Sequence, residues 1–247
     1  MIPKIIHYCW FGNNPLPPLA LKCIASWRKY LPDYEIKEWN EENFDINIIQ
    51  YVKEAYDAKK YAFVSDYARF WILYNYGGLY FDTDVEVIRP MDEIIACGSF
   101  MGCEYDGGVE KGTSFINPGL ALGAIKDLAF YGEILRLYAG MKFLKDDGTY
   151  NMTTIVEYTT QLLRKNGLRD ISGIQEVSSI IIYPQEFFCP LHGRQVKFTK
   201  NTYTIHHYMG SWIKQSIRKR MLLIVHSIIC QYYKMKILIN KTFASKR

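Results

Sequence analysis

Two aspartates one residue apart, Asp82 and Asp84, follow the short apolar run Leu79-Tyr80-Phe81 and form the clearest chemical signal in the 247-residue chain. Side chains at i and i+2 of an extended segment share a face, so both carboxylates can approach one hard cation, directly or through a water. A diphosphate would complete that coordination sphere. Just upstream, Asp66 and Arg69 fall on one face of a stretch whose apolar residues Tyr67, Phe70, Trp71 and Tyr74 recur at helical spacing. Together they offer a planar guanidinium for phosphate beside a carboxylate for sugar hydroxyls. The plainer reading is that Asp66 and Arg69 only pair with each other and that the acidic turn is solvated, since such turns are common.

The elements that must position these groups can be read around them. Ser65 and Asp66 are placed to cap a helix ending at Gly77-Gly78, where glycine supplies the left-handed turn that stops it. Leu79 to Phe81 then reads as a short buried strand with Asp82-Thr83-Asp84 at its tip. Ile2 to Gly12 reads as a buried strand of a parallel sheet, and Trp10 lies where that strand leaves it, the end at which open α/β sheets bind ligands. A core tryptophan is the alternative there. A helix over Leu19 to Tyr30, a strand over Tyr34 to Trp39 and a helix over Ile46 to Ala58 continue an alternation that predicts an α/β domain with a mostly parallel sheet flanked by helices. Strands are expected at Val85 to Ile88, Phe100 to Cys103 and Leu120 to Ile125, with a Gly-rich loop at Asp106 to Gly112. Helices are expected at Leu128 to Met141 and Thr153 to Lys165, and Ile180 to Tyr183 with Tyr203 to His207 complete the sheet. Asn117 precedes a strand, where an Asx turn is its ordinary use.

Composition bounds the function. Six cysteines lack any Cys-x-x-Cys spacing and the N-terminus lacks a secretory pattern, which predicts free thiols in a reducing, cytoplasmic setting. The net charge of +5 divides unevenly: residues 213–247 hold nine basic and no acidic residues, leaving 21 basic against 25 acidic in the body. The body therefore gives no argument for nucleic-acid binding. The sequence MLLIVHSIICQYYKMKILI inside that basic stretch carries too many polar residues for a transmembrane span, so residues 213–247 read as a basic amphipathic helical tail. It would lie on an anionic membrane surface or, alternatively, pack on the domain.

Ser65-Asp66, Arg69 and Gly77-Gly78-x-Tyr80-x-Asp82-x-Asp84, gathered within 22 positions, resemble the sugar-nucleotide region of the Asp-x-Asp (DXD) glycosyltransferases. That group includes bacterial capsule and lipopolysaccharide sugar transferases, yeast-type initiating mannosyltransferases and the catalytic domains of large clostridial glucosylating toxins. The resemblance extends more thinly over residues 1–212 and implies a GT-A fold and retaining transfer from a nucleotide sugar, a UDP-sugar, to a glycan acceptor. It implies Mn²⁺ or Mg²⁺ on Asp82 and Asp84, catalytic use of Asp66 and Arg69, and substrate contacts from Trp10 (stacked on the base), Ser65, Tyr80, Asn117, Ser211 and Trp212. An imidazole at the end of the last strand would add a third metal ligand. The His-x-x-Gly spacing, similar to that of retaining galactosyltransferases, selects His207, with His206 a core residue. The implied setting is capsular polysaccharide or lipopolysaccharide synthesis on a lipid-linked acceptor, with the chain peripheral on the inner face of a bacterial plasma membrane. A toxin-like transferase acting on protein keeps the same fold. A haloacid-dehalogenase-type phosphohydrolase also places Asp-x-Asp after a strand, but wants Thr or Val where Glu86 stands, and a non-catalytic membrane adaptor would use the basic tail alone.

Overall fold

The computed structural model describes residues 1–106, 114–192, 195–210 and 225–236. The first strand, β1 (Ile5–Cys9), is the apolar run near the N-terminus and pairs in parallel with both β2 (Glu35–Trp39) and β3 (Gly78–Tyr80). Beyond β3 the sheet continues through β7 (Leu122–Ala124), β5 (Phe100–Tyr105), β9 (Ile180–Tyr183) and β8 (Gln175–Val177), with β6 (Phe115–Ile116) on β5. Strands β1, β2, β3, β5 and β9 run one way, while β6, β7 and β8 oppose their partners. The sheet is thus mostly parallel, as the alternation of elements predicts.

Alternation along each strand divides the core into two layers. Cys9, Tyr80, Met101 and Leu122 pack against α2 (Gln50–Asp57), α3 (Tyr61–Tyr76), α5 (Ala129–Ala139) and α6 (Ile155–Lys165). Ile6, Tyr8, Leu79, Phe81 and Phe100 face α1 (Pro18–Tyr30), α4 (Asp92–Ala96) and α7 (Gln185–Phe188). His7, read from the sequence as structural, is fully buried between layers. The Trp39 indole N–H donates to its Nδ1 at 3.0 Å and its Nε2 lies 3.0 Å from the Gly77 carbonyl. Burial holds its pKa down at about 4, so it is a neutral bridge.

Two local expectations need correction. Helix α3 starts four residues before Ser65, because Phe63 and Val64 have core surface to bury, so Ser65 and Asp66 are not its cap. The Ser65 hydroxyl instead donates to the Tyr61 carbonyl one turn back. At the other end the prediction holds: Gly77 closes the helix with φ 65° and its N–H bonded to the Leu73 carbonyl. Second, β12 (Thr204–His206) does not complete the main sheet. It pairs antiparallel with β4 (Val85–Val87), because the turn at Asp82 to Asp84 carries the chain out of the sheet and leaves β4 with a free edge. A further small ribbon joins β10 (Leu191–His192) to β11 (Gln195–Val196).

Part of the basic tail packs on the domain, one of the two placements its sequence allows. Residues 225–236 form helix α8, whose Ile229 and Cys230 join Ile88, Leu191, Phe198 and Ile205 in a small apolar cluster, with Tyr233 stacked on Phe198 at 4.4 Å. Its other face leaves Val225, Ile228, Tyr232 and Met235 exposed. Among the described residues no helix is long and apolar enough to cross a membrane.

Candidate active site

The carboxyl ends of β1 and β3 open into a cavity of about 1270 Å³, walled by α3, the start of α6 and the segment after β12. The two core layers explain how the acidic turn is divided. Tyr80 and Asp82 point to the α3 side, where the Tyr80 hydroxyl donates to Asp82 Oδ1 at 3.2 Å and Arg69 Nη2 lies 3.3 Å from the same oxygen. Arg69 also holds Asp66 Oδ1 at 2.9 Å and its guanidinium lies over the Tyr80 ring. Asp66 therefore does pair with Arg69, yet the pair lines the cavity and extends to Asp82.

Asp84 turns to the other side. Its Oδ1 lies 3.1 Å from His206 Nε2, and its Oδ2 accepts the Met209 N–H at 2.7 Å. Atoms of Asp82, Asp84 and His206 lie within 4.8 Å of one another. Ligands around an octahedral ion at about 2.1 Å stand roughly 3 to 4.2 Å apart, so a small closure would bring all three to one cation. His206 Nδ1 is buried and has no partner among the described residues. The adjacent His207, selected from spacing, goes elsewhere: its Nε2 meets Glu86 Oε2 at 2.9 Å. Strand parity decides this, because His206 faces Val85 in the β4 register and its neighbour is delivered to the opposite side.

Electrostatics fit a cation. Burial drives the Asp66 pKa up to about 7 against the pull of Arg69, and burial likewise raises Asp82. Burial also acts on Asp84, but the charge and hydrogen bond of His206 and the Met209 N–H outweigh it and hold Asp84 at about 2. For His206, burial opposes charge while Asp84, followed by Asp82, more than restores it, so its pKa is raised. Two buried carboxylates, Asp66 and Asp84, and the partly exposed Asp82 face one guanidinium and one imidazole, an acidic grouping that a divalent ion would neutralise.

The remaining predicted residues fall around this centre unequally. Trp10 stands half-buried on the cavity wall with its indole N–H donating to the Asn14 carbonyl at 2.6 Å, and Ser65 also lines the cavity. Tyr80 lines the cavity but is only 1% exposed, and its hydroxyl braces Asp82. Asn117 makes the Asx turn, accepting the Gly119 N–H at 2.7 Å, and its amide donates to Glu104 at 3.2 Å from within the cavity wall. Ser211 and Trp212 lie outside the described residues.

Sequence reasoning missed Gly119, Glu104 and Tyr208. A Cβ on Gly119 would lie 2.2 Å from Asp82 Oδ2, so that glycine gives the aspartate its room. Tyr208 adopts φ 50°, a conformation costly for an aromatic residue, while its hydroxyl donates to Glu104 at 3.0 Å and its ring packs on His206 at 4.2 Å. No spacing rule marks either glutamate or tyrosine, whereas the Gly119 signal was present as Asn-Pro-Gly beside a strand.

Residues 17–101, which hold Asp66, Arg69 and both aspartates of the turn, match the family described as glycosyltransferase sugar-binding region containing DXD motif. That match spans about a third of the chain. The chain is 31% identical over 111 residues to inositol phosphoceramide mannosyltransferase 1 of Schizosaccharomyces pombe, covering 40% of this chain and 33% of that protein. With inositol phosphoceramide mannosyltransferase 3 of the same yeast it shares 35% identity over 98 residues, 38% of this chain and 27% of the relative. The chain thus spans a third or less of the length of these curated relatives. A glycosyltransferase involved in glycosylation of the major capsid of PBCV-1 superposes with a TM-score of 0.48 at 15% identity, over 89% of this chain and 99% of that one.

Proposed function

We propose that the chain is a metal-dependent retaining glycosyltransferase that moves a sugar from a nucleotide sugar, a UDP-sugar in our reading, to a glycan acceptor. The observation that carries the proposal is the convergence of Arg69, Asp66, Asp82, Asp84 and His206 on one cavity within a DXD sugar-binding region. Mn²⁺ or Mg²⁺ held by Asp82, Asp84 and His206 would supply charge neutralisation for a departing diphosphate. Arg69, fixed between Asp66 and Asp82, would sit against the donor's phosphates with its planar donors already aligned. Asp66 accepts from Arg69 and would orient sugar hydroxyls with the lone pairs left over. Trp10 would stack on the base, and Ser211 and Trp212 would close over the diphosphate. In our reading the acceptor hydroxyl attacks from the leaving-group side and passes its proton to the departing phosphate oxygen.

The acceptor we propose is lipid-linked, in bacterial capsular polysaccharide or lipopolysaccharide synthesis, with the chain peripheral on the inner face of the plasma membrane. Two observations support a lipid surface: the curated relatives are named for mannosyl transfer to an inositol phosphoceramide, and the exposed stripe Val225, Ile228, Tyr232 and Met235 lies in a basic stretch without acidic residues. The relatives' names also favour mannose as the sugar. The test is a screen of UDP- and GDP-sugars for Mn²⁺-stimulated hydrolysis and for transfer to membrane extracts. Hydrolysis of one nucleotide sugar that disappears with chelator is expected. Indifference to every nucleotide sugar and to Mn²⁺, with phosphatase activity on aryl phosphates instead, would overturn the reading.

A further inference from the structure

Glu86 is a buried carboxylate with no part in the donor chemistry above, yet it gathers two lysines and an imidazole from three separate elements. Its Oε2 lies 2.9 Å from His207 Nε2 and 3.7 Å from Lys22 Nζ of α1, while its Oε1 takes Lys234 Nζ of α8. The residue sits on β4, two positions beyond Asp84 and opposite Ile205 of β12. The turn at Asp82 to Asp84 ends at Val85, so Asp84 and Glu86 reach different histidines although their numbering would place them on one face of a regular strand.

The adjacent histidines pose a problem of choice. Either imidazole has the chemistry of a metal ligand, and the chain around them is fastened to Asp84 from both sides of Tyr208. The His207 N–H donates to the Asp84 carbonyl at 3.0 Å and the Met209 N–H to its carboxylate at 2.7 Å. Register turns His207 to the side opposite His206, and there its Nε2 meets Glu86.

We propose that Glu86 is a positioning residue that engages His207 and thereby leaves His206 as the imidazole presented to Asp82 and Asp84, with Lys22 and Lys234 fixing the Glu86 carboxylate. Helix α8 then takes part in assembling the site through one side chain. The inference rests on the metal reading under Proposed function and goes beyond it, because it assigns a role to a charge cluster outside the cavity. Outer-shell partners of metal ligands typically change affinity by about 10- to 100-fold when removed, which sets the scale.

The experiment is a titration of the full-length chain with Mn²⁺ alone, read from the free-ion electron paramagnetic resonance signal, with a thermal melt of each variant. His206→Ala is expected to weaken Mn²⁺ binding by at least ~10-fold and His207→Ala by less than ~2-fold, the contrast between a ligand and a group held away from it. Glu86→Ala is expected to weaken binding about 10-fold. The diagnostic is the double variant: with Glu86 absent His207 can turn to the ion, so the His206→Ala loss shrinks, whereas a merely structural Glu86 leaves the two losses additive. Should Glu86→Ala melt below the assay temperature, Glu86→Gln and Lys234→Met carry the same test, with Lys234→Met shifting Mn²⁺ affinity in the same direction. Additive losses, or parent-like affinity in folded Glu86 and Lys234 variants, overturn the inference while leaving the metal site standing. A parent protein whose Mn²⁺ affinity ignores Asp82, Asp84 and His206 overturns both readings, and imidazole ¹⁵N spectra of metal-free Glu86→Gln keep the arrangement itself in view: His206 resonances that stay in place when Glu86 changes show that Glu86 does not position it.

Discussion

Replacing Gly119 by alanine perturbs the centre with a single methyl group. The added Cβ would lie 2.2 Å from Asp82 Oδ2, 3.1 Å from its Cγ and 3.0 Å from Asn117 Oδ1, whereas ordinary contact begins near 3.4 Å. The carboxylate must therefore retreat by about 1 Å, drawing Asp82 away from the bonds it makes with Tyr80 and Arg69. Misplacement of a reacting group by that distance costs about 100-fold in rate, or about 2.7 kcal/mol of barrier. Gly119 does not occupy the left-handed region, so alanine brings no backbone strain, and the atom it meets is the end of a side chain that can move. Folding should survive. Gly173→Ala is the matched control, since its Cβ would meet nothing within 4 Å and it too has no positive φ. The assay is Mn²⁺-dependent hydrolysis of the nucleotide sugar that the screen identifies, beside a thermal melt and an Mn²⁺ titration. Gly119→Ala working at the parent rate with parent Mn²⁺ affinity would refute the placement of Asp82 at the reacting centre. A lowered melt equal to the loss of activity would refute the claim that the methyl acts locally.

Asp84→Asn should lower transfer at least ~100-fold, the scale of one strong electrostatic contact, while the protein still folds at neutral pH; parent-level turnover would show that the turn is a solvated loop. The Asp84 pKa of about 2 in the folded protein is below its ordinary value, so its contribution to stability is present above about pH 4 and is lost as pH falls toward 2, visible as an acid-side drop in melting temperature that Asp84→Asn flattens. Asp66 behaves oppositely: with its folded pKa raised to about 7, the metal-free protein loses stability as pH rises from about 4 through 7, and Asp66→Asn should melt higher than the parent at pH 8 while losing activity. Ile228→Ser with Tyr232→Ser, both on the exposed stripe, should abolish co-sedimentation with anionic vesicles at low salt without moving the melt; unchanged sedimentation would remove the case for lipid docking.

The parts of this architecture that were legible in the sequence are those fixed by local chemistry. Gly77 ends α3 because only a glycine turns left-handed at no steric penalty, and the apolar triplet after it enters the sheet with the acidic turn at its tip. What local chemistry does not contain is parity between segments far apart in the chain. His206 and His207 differ by one residue, and which of them meets Asp84 follows from the register of β12 on β4, a pairing across more than a hundred residues. The same limit applies to the tail. Its basic, apolar composition fits either a membrane surface or a packed helix, and α8 shows why composition could not choose: Cys230 and Ile229 pack inward while Ile228 and Tyr232 face out, so one helix serves both readings on opposite faces. Nor were the pairing of Asp66 with Arg69 and its use in a site true alternatives. Arg69 spans Asp66 and Asp82 at 2.9 and 3.3 Å, so the ion pair on the helix face is also what fixes the guanidinium at the cavity. A buried guanidinium shared by two carboxylates, next to a third carboxylate on an imidazole, leaves negative charge that the protein's own cations do not cancel. That imbalance is costly in the protein alone and is removed when a divalent cation arrives, which is why the region that looks least stable by burial is the one we assign to metal and donor.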